Sequence, residues 1–187
     1  MRKTRFIGLG LIVAVLSGFI GFQVHRSFQA GTDLPATDVQ IKRPALNLIG
    51  QIRPEFSLPD MDGNMHKIDE WDGRVVAINF WATWCPPCRE EIPEFIKIQE
   101  KFGSKGLQFI GIALQQAKDV REFATTMGIN YPILVGEEDV IQVAEQYGNS
   151  FGALPYTVII DRQRRITFIQ PGPLHAADAE RVITSLL

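Results

Sequence analysis

Two cysteines stand three positions apart in the segment NFWATWCPPCRE, which runs from Asn79 to Glu90. They are Cys85 and Cys88, the only cysteines among the 187 residues. A disulfide across so short a loop restrains the unfolded chain little, so a purely structural role explains the pair poorly. Two thiols at this spacing suit dithiol–disulfide exchange, in which one thiolate attacks a disulfide and the second thiol resolves the mixed disulfide.

Other chemistries of a CxxC pair fit this sequence less well. A structural zinc site needs further ligands, but there is no second CxxC and the three histidines are scattered. Attachment of a c-type haem needs a histidine after the second cysteine, where this chain has Arg89. A peroxidatic cysteine would have a threonine three residues before it, and Ala82 stands there before Cys85. A peroxiredoxin-like antioxidant enzyme therefore stays an alternative, but not the preferred one.

The residues around the cysteines predict a strand that leads directly into a helix. The run RVVAINFW, Arg74 to Trp81, is continuously apolar after its first residue except for one asparagine, as in a parallel strand buried on both faces. A helix beginning at Cys85 would place a thiolate at the positive end of the helix dipole, which lowers the thiol pKa. Pro86 and Pro87 then occupy the first turn, where a missing N–H is tolerated. We expect an exposed attacking Cys85 and a more buried Cys88.

The rest of the chain alternates strand and helix patterns. A strand–turn–strand pattern around Asp62-Gly63-Asn64 precedes the cysteines, and a buried strand is predicted at Leu107–Leu114. Amphipathic helices are predicted at Lys118–Gly128 and Glu138–Gly148, with a short strand between them. A terminal hairpin and a last helix follow. This order predicts an α/β fold with a central mixed sheet flanked by helices.

The N-terminus predicts a membrane anchor. Arg2, Lys3 and Arg5 precede a 19-residue run, Phe6 to Val24, that contains no Lys, Arg, Asp or Glu. Such a run spans nearly the hydrocarbon core, and its basic flank should remain cytoplasmic. A cleaved signal peptide is the alternative, but its apolar region is usually shorter and ends in a small-residue cleavage site that we do not find.

We therefore divide the chain into residues 1–25 as cytoplasmic flank and single-pass anchor, 26–50 as tether, and 51–187 as the folded domain. The domain is expected on the periplasmic, extracytoplasmic side of the inner (cytoplasmic) membrane. The net charge of −2 offers no basic excess for phosphate binding, so nucleic-acid binding is excluded as a function class.

The segment NFWATWCPPCREEIPEF resembles the active-site segment of thioredoxin-like proteins. With the apolar N-terminus, CPPCREEIP is similar to the membrane-tethered TlpA/ResA/DsbE (CcmG) type. The resemblance extends from about Ile52 to Leu187 and includes an insert between Leu114 and Leu154. It implies a thioredoxin-like fold with an N-terminal hairpin and a central insert, and extracytoplasmic thiol–disulfide oxidoreductase activity, often in cytochrome c maturation.

The resemblance also implies roles for individual residues. Cys85 would be the nucleophile and Cys88 the resolving thiol. Leu154-Pro155 in GALPYTVIID matches a loop whose proline is cis and faces the active site. A proline there leaves neighbouring backbone groups free to pair with an extended substrate, although an ordinary loop proline is the alternative.

Glu91 matches an acidic residue that this family keeps near the active site. A partly desolvated carboxylate there could take the proton of the resolving thiol, or it could simply favour the helix dipole. Asn79 stands where thioredoxin has a buried aspartate; because an amide cannot ionise, Glu91 becomes the better proton acceptor.

The remaining site residues concern the surface around the dithiol. Trp84, Pro86 and Pro87 are expected to shape the substrate-docking surface. Trp81 is expected to shield the dithiol, with plain core packing as an equal alternative.

The resemblance implies partners but no prosthetic cofactor and no metal. The substrate would be a protein thiol or disulfide, such as that of an apocytochrome c or a haem-handling protein, and a membrane donor of the DsbD/CcdA type would return electrons. A binding module that holds unfolded chains without redox turnover is the second alternative.

Overall fold

The structure is a computed structural model that describes residues 48–187. The predicted anchor and nearly all of the predicted tether lie outside the described residues. Between residues 48 and 187, no helix is both long enough and apolar enough to cross a membrane.

Residues 48–187 form seven β-strands and four α-helices. The strands are β1 (Ser57–Pro59), β2 (Met65–Lys67), β3 (Val75–Trp81), β4 (Leu107–Leu114), β5 (Ile133–Gly136), β6 (Tyr156–Ile160) and β7 (Ile166–Pro171). The helices are α1 (Pro86–Phe102), α2 (Ala117–Met127), α3 (Glu138–Gln146) and α4 (Ala176–Leu186). Short 3-10 turns follow β2 at Ile68–Trp71 and α1 at Gly103–Lys105.

A five-stranded mixed sheet in the order β5-β4-β3-β6-β7 forms the centre of the fold. Strand β3 pairs with β4 in parallel and with β6 antiparallel, and β4 pairs with β5 in parallel. The hairpin of β1 and β2 forms a separate two-stranded sheet. The predicted mixed sheet, thioredoxin-like α/β class and N-terminal hairpin are confirmed.

Alternate residues of β3 enter two different parts of the core. Val76, Ile78 and Phe80 belong to a cluster that also contains the hairpin and the buried face of α3. Val75 and Ala77 pack instead with buried residues of α1 and α4. Because β3 is covered on both faces, it reads in the sequence as a continuous apolar run rather than an alternating one.

The end of α1 differs in one detail from the sequence pattern. A glycine is a common stop signal for a helix, and α1 ends at Phe102 just before Gly103, but Gly103 itself keeps a right-handed conformation and begins a 3-10 turn. The left-handed residue is Gly106, with φ 104°, after which β4 begins. The chain reversal therefore occurs at the glycine that tolerates a positive φ.

Candidate active site

The two cysteines lie where β3 passes into α1. Cys85 is the N-cap of α1, and its sulfur accepts a hydrogen bond from the backbone N–H of Cys88 at 3.3 Å. Pro86 and Pro87 are the first two residues of the helix, as predicted. A disulfide joins Cys85 to Cys88. The sulfur of Cys85 therefore sits at the positive end of a helix dipole, where a thiolate is stabilised after reduction.

The expectation that Cys85 is exposed is wrong for this disulfide-bonded state. Cys85 is 3% exposed and Cys88 is fully buried. Both sulfur-bearing side chains pack in one apolar cluster with Trp81 and Ile92, and that packing covers the outer cysteine as well as the inner one. Cys88 is the more buried of the two cysteines, as predicted, but their exposed fractions differ little.

Glu91 is buried one helical turn beyond Cys88, on the inner side of α1. One carboxylate oxygen accepts a hydrogen bond from Asn79 Nδ2 at 2.8 Å, and the other accepts from the backbone N–H of Leu174 at 2.9 Å. Its neighbour Glu90 is exposed. The carboxylate is thus fixed between β3 and the chain segment that leads into α4.

The pKa of Glu91 is raised from 4.5 to about 7. Burial is the main cause, since removing a carboxylate from water disfavours its charged form. The hydrogen bonds from Leu174 and Asn79 favour the charged form and limit the rise. A group with this pKa exchanges a proton near neutral pH, as a general acid or base requires.

Asn79 connects Glu91 to β6. Its amide nitrogen donates to Glu91 and also to Thr157 Oγ1 at 3.0 Å, while its own oxygen is buried and has no hydrogen-bond partner among residues 48–187. Asn79 and Thr157 are direct partners in the antiparallel pairing of β3 and β6. Thr157 was not predicted, because nothing local in the sequence indicates which residue of β6 faces Asn79.

The loop before β6 carries the predicted proline. The Leu154–Pro155 peptide bond is cis, as the resemblance implied. Pro155 is buried, and Leu154 packs against the cluster that holds the two cysteines. The loop thus lies against the dithiol cluster.

The two tryptophans of this region have opposite environments. Trp81 is buried and packs against Phe123 of α2 with ring centroids 5.4 Å apart, and it belongs to the same cluster as the cysteines. Trp84 is 63% exposed although it adjoins Cys85. Trp81 therefore combines shielding and core packing, and Trp84 presents an aromatic surface beside the disulfide.

A residue outside the predicted set holds the loop between β3 and Cys85. The side-chain oxygen of Gln115 accepts a hydrogen bond from the backbone N–H of Thr83 at 2.6 Å. Gln115 follows β4, which is parallel to β3, so the ends of both strands meet at this edge of the sheet. Gln115 was not predicted, because the sequence alone does not show that β3 and β4 are neighbours in the sheet.

This chain is similar to a thiol-disulfide oxidoreductase, a thioredoxin-like protein and a thiol:disulfide interchange protein. The thiol-disulfide oxidoreductase ResA of Geobacillus kaustophilus is 27% identical over 186 residues, covering 99% of this chain and 98% of the relative. The thioredoxin-like protein YneN of Bacillus subtilis is 28% identical, covering 92% and 93%. The crystal structure of a thiol:disulfide interchange protein from Chlorobium tepidum TLS is 31% identical with a TM-score of 0.66, covering 72% of this chain and 94% of that one.

The fold, the dithiol at the start of α1 and these similarities define a thioredoxin-like thiol–disulfide oxidoreductase of the TlpA/ResA/DsbE type, an enzyme whose substrates are protein thiols or disulfides. The chain belongs to the AhpC/TSA family, whose model matches residues 49–169.

Proposed function

We propose that this enzyme reduces protein disulfides outside the cytoplasm, tethered to the membrane by residues 6–24, in the maturation of c-type cytochromes. The observation that carries the chemistry is the Cys85–Cys88 pair at the N-terminus of α1, with buried Glu91 one turn behind Cys88. The similarity to the thiol-disulfide oxidoreductase ResA supports exchange with a protein disulfide. The choice of c-type cytochromes follows from the resemblance of CPPCREEIP to the TlpA/ResA/DsbE type.

The proposed reaction has two thiol–disulfide exchange steps. The Cys85 thiolate attacks one sulfur of the substrate disulfide, so a mixed disulfide forms and the other substrate sulfur leaves as a thiolate. The Cys88 thiolate then attacks Cys85, which releases the second substrate thiolate and leaves the Cys85–Cys88 disulfide. Two electrons pass from enzyme to substrate, and a membrane dithiol donor of the DsbD/CcdA type returns them.

Glu91 is the proposed proton acceptor for the second step. Cys88 is buried, so its proton has no direct route to water, and burial opposes formation of its thiolate. Glu91 lies one turn away on the same helix, with a pKa of about 7. It can therefore accept the proton as the anion and release it again at neutral pH.

The substrate backbone is proposed to pair with Leu154. Its N–H and C=O make no hydrogen bond within residues 48–187, whereas the flanking groups are occupied: Ala153 bonds to the Asn149 side chain and Pro155 O accepts from Gly172 N. One donor and one acceptor in a fixed loop suit strand addition by an extended chain.

Complementation with and without an added dithiol tests this function. We expect a strain lacking the protein to lose covalently haem-bound cytochromes c, and full-length wild type but not Cys85→Ser to restore them. Because the proposed role is reductive, an exogenous dithiol should also restore them. Undiminished cytochrome c in the deletion strain, or rescue by a disulfide oxidant instead, would contradict the proposal.

A further inference from the structure

We infer that Asn79 is a positioning residue whose side-chain amide turns over when Glu91 takes a proton, so that it donates to the ionised carboxylate and accepts from the neutral carboxylic acid. The inference rests on the proposed proton transfer from Cys88 to Glu91 and adds a second residue to it. Two observations carry it. Both oxygens of Glu91 face donors, and the oxygen of Asn79 is buried with no hydrogen-bond partner among residues 48–187.

The contacts of Glu91 suit only its ionised form. Asn79 Nδ2 donates to one carboxylate oxygen at 2.8 Å, and the backbone N–H of Leu174 donates to the other at 2.9 Å. An ionised carboxylate only accepts hydrogen bonds, whereas a neutral carboxylic acid also carries a hydrogen that it must donate. Neither partner accepts that hydrogen, because each presents an N–H. The neutral form of Glu91 therefore needs an acceptor that this arrangement does not provide.

A half-turn of the Asn79 amide supplies this acceptor. The nitrogen and the oxygen of an amide occupy nearly the same space, so exchanging them leaves the packing unchanged. After the half-turn, Oδ1 faces Glu91 and accepts from the carboxylic acid. Thr157 Oγ1, 3.0 Å from the amide nitrogen, is fully buried beside it. Because a hydroxyl both accepts and donates, Thr157 accepts from the amide before the half-turn and donates to it afterwards.

The unpaired oxygen of Asn79 allows both orientations of the amide. In the described orientation the nitrogen makes two hydrogen bonds and the oxygen makes none among residues 48–187. After the half-turn the oxygen makes both bonds and the nitrogen none. Because either orientation leaves one end unpaired, the protonation state of Glu91 selects between them. Asn149 differs: it is also buried, but both ends of its amide bond to Ala153 at 2.8 Å, so its orientation is fixed.

The half-turn matters for the release of substrate from the mixed disulfide. A hydrogen bond to either form of a carboxyl group stabilises that form. Once Glu91 has taken the proton of Cys88, the turned amide stabilises the neutral acid, which leaves the Cys88 thiolate free to attack Cys85. When the proton passes on to water, the amide turns back and again donates to the carboxylate. Asn79 thus stabilises the carboxyl group before and after the proton transfer.

NMR of the oxidised, full-length protein in detergent tests the inference directly. At about pH 9 the Nδ2 protons of Asn79 should show a strong nuclear Overhauser effect to the Thr157 side chain, and at about pH 5 this effect should be several-fold weaker. The midpoint should lie at about pH 7, where Glu91 titrates. The side-chain amide of Asn149 is the internal control and should not change. The same Asn79 contact at both pH values would overturn the inference.

Glu91→Gln fixes the amide of Asn79 in one orientation. A glutamine side chain resembles a neutral carboxylic acid, because one end accepts and the other donates. The N–H of Leu174 requires the accepting end, so the donating end faces Asn79. The amide of Asn79 should therefore show the turned orientation at every pH in this variant, whereas Glu90→Gln, at the exposed neighbour, should behave as wild type. The described orientation at about pH 9 in Glu91→Gln would contradict the inference.

Asn79→Leu removes the donor and the acceptor together while keeping a similar volume. Ionised Glu91 then loses its hydrogen bond from β3, so the inflection in the rate of substrate release should move above pH 7. A residue that only stabilises the fold would not move this inflection. An unchanged inflection in Asn79→Leu would therefore overturn the positioning role.

Other titratable groups near Glu91 are accounted for in this experiment. Cys85 and Cys88 do not titrate while they form the disulfide. Burial, and then the charge of Glu91, raises the pKa of Tyr131, so this phenol stays neutral over the range measured. His175 follows Leu174 and is exposed, and His175→Gln should leave the midpoint unchanged. Loss of the transition in His175→Gln would overturn the assignment to Glu91.

The outcomes separate this inference from the proposed function, because the NMR experiment needs no substrate and does not depend on the direction of electron flow. A fixed amide together with substrate release that slows below about pH 7 would overturn the inference and leave the proposed function intact. A turning amide together with release that does not vary with pH would support the inferred motion and contradict Glu91 as the proton acceptor.

Discussion

Glu91 is the residue whose environment bears most directly on catalysis. Its carboxylate is 6% exposed, is held by Asn79 and Leu174, and has a pKa of about 7. A surface glutamate would be ionised throughout the neutral range and would be a weak base. Burial therefore converts an ordinary acidic side chain into a group that changes charge near neutral pH.

The first prediction concerns the pH dependence of catalysis. Because ionised Glu91 is the proposed acceptor of the Cys88 proton, release of substrate from the mixed disulfide should slow as pH falls below about 7. Glu91→Gln should slow this step roughly 100-fold at pH 8 and remove the inflection near pH 7. Stopped-flow measurement of the release step across pH checks both effects.

Glu90→Gln is the matched control for this prediction. Glu90 is the adjacent acidic residue, but it is exposed, so its removal should leave the rate and its pH profile unchanged. An inflection near pH 7 that persists in Glu91→Gln would assign the proton transfer to another group.

The second prediction concerns stability. Because the pKa of Glu91 is raised on folding, the native state binds more protons than the unfolded state between pH 4.5 and about 7. The stability from protonated Glu91 is therefore complete below pH 4.5 and is lost as pH rises through about 7. Relative to Glu91→Gln, the oxidised wild type should lose roughly 3 kcal/mol of unfolding free energy over this range.

Denaturant unfolding of both oxidised proteins at a series of pH values measures this difference directly. The comparison with Glu91→Gln cancels the other titrating groups, such as His66, whose pKa is raised by hydrogen bonding to Glu70. Parallel stability profiles for the two proteins would show that Glu91 has an ordinary pKa in the folded state.

At the scale of elements, helix α1 positions the dithiol. The geometry of the site therefore depends on how this helix packs on the sheet. Phe95 is fully buried in α1 and stacks on Phe109 of β4 with ring centroids 4.9 Å apart. Phe95→Ala should lower the free energy of unfolding by about 3–5 kcal/mol, because it removes a buried ring and leaves a cavity. Chemical denaturation of the oxidised protein measures this loss.

Lys97→Ala is the control for the packing prediction. Lys97 lies on the exposed face of α1 and pairs only with Glu94 at the surface, so its removal should change stability by less than about 1 kcal/mol. A similar loss for both variants would show that the buried contact with β4 does not stabilise the helix.

Elements were predictable where a pattern is local. The apolar run at Leu107–Leu114 matches β4 at both ends, and the proline pair before an amphipathic run located the start of α1. Contacts between distant elements were not predictable in this way. Asn79 and Thr157 are 78 residues apart, and Glu91 and Leu174 are 83 apart, so both contacts depend on strand order and helix docking.

At the scale of the whole molecule, the difference between local patterns and contacts of distant elements also explains which parts of the site were predicted. The dithiol, the proline loop and Glu91 came from one short motif and from a resemblance that covers the domain. The burial of Cys85 in the oxidised state was missed because it depends on side chains from several elements, among them Ala82, Ile92 and Leu154.

In the proposed reaction, this oxidoreductase gives electrons to substrate disulfides. The most direct test is the reduction potential of the Cys85–Cys88 pair in the full-length protein, measured in dithiol buffers by the fluorescence of Trp84 beside the disulfide. We expect a potential near that of thioredoxin, about −270 mV, as a reductase requires. A potential near about −120 mV would make the protein a donor of disulfides and would contradict the proposed direction.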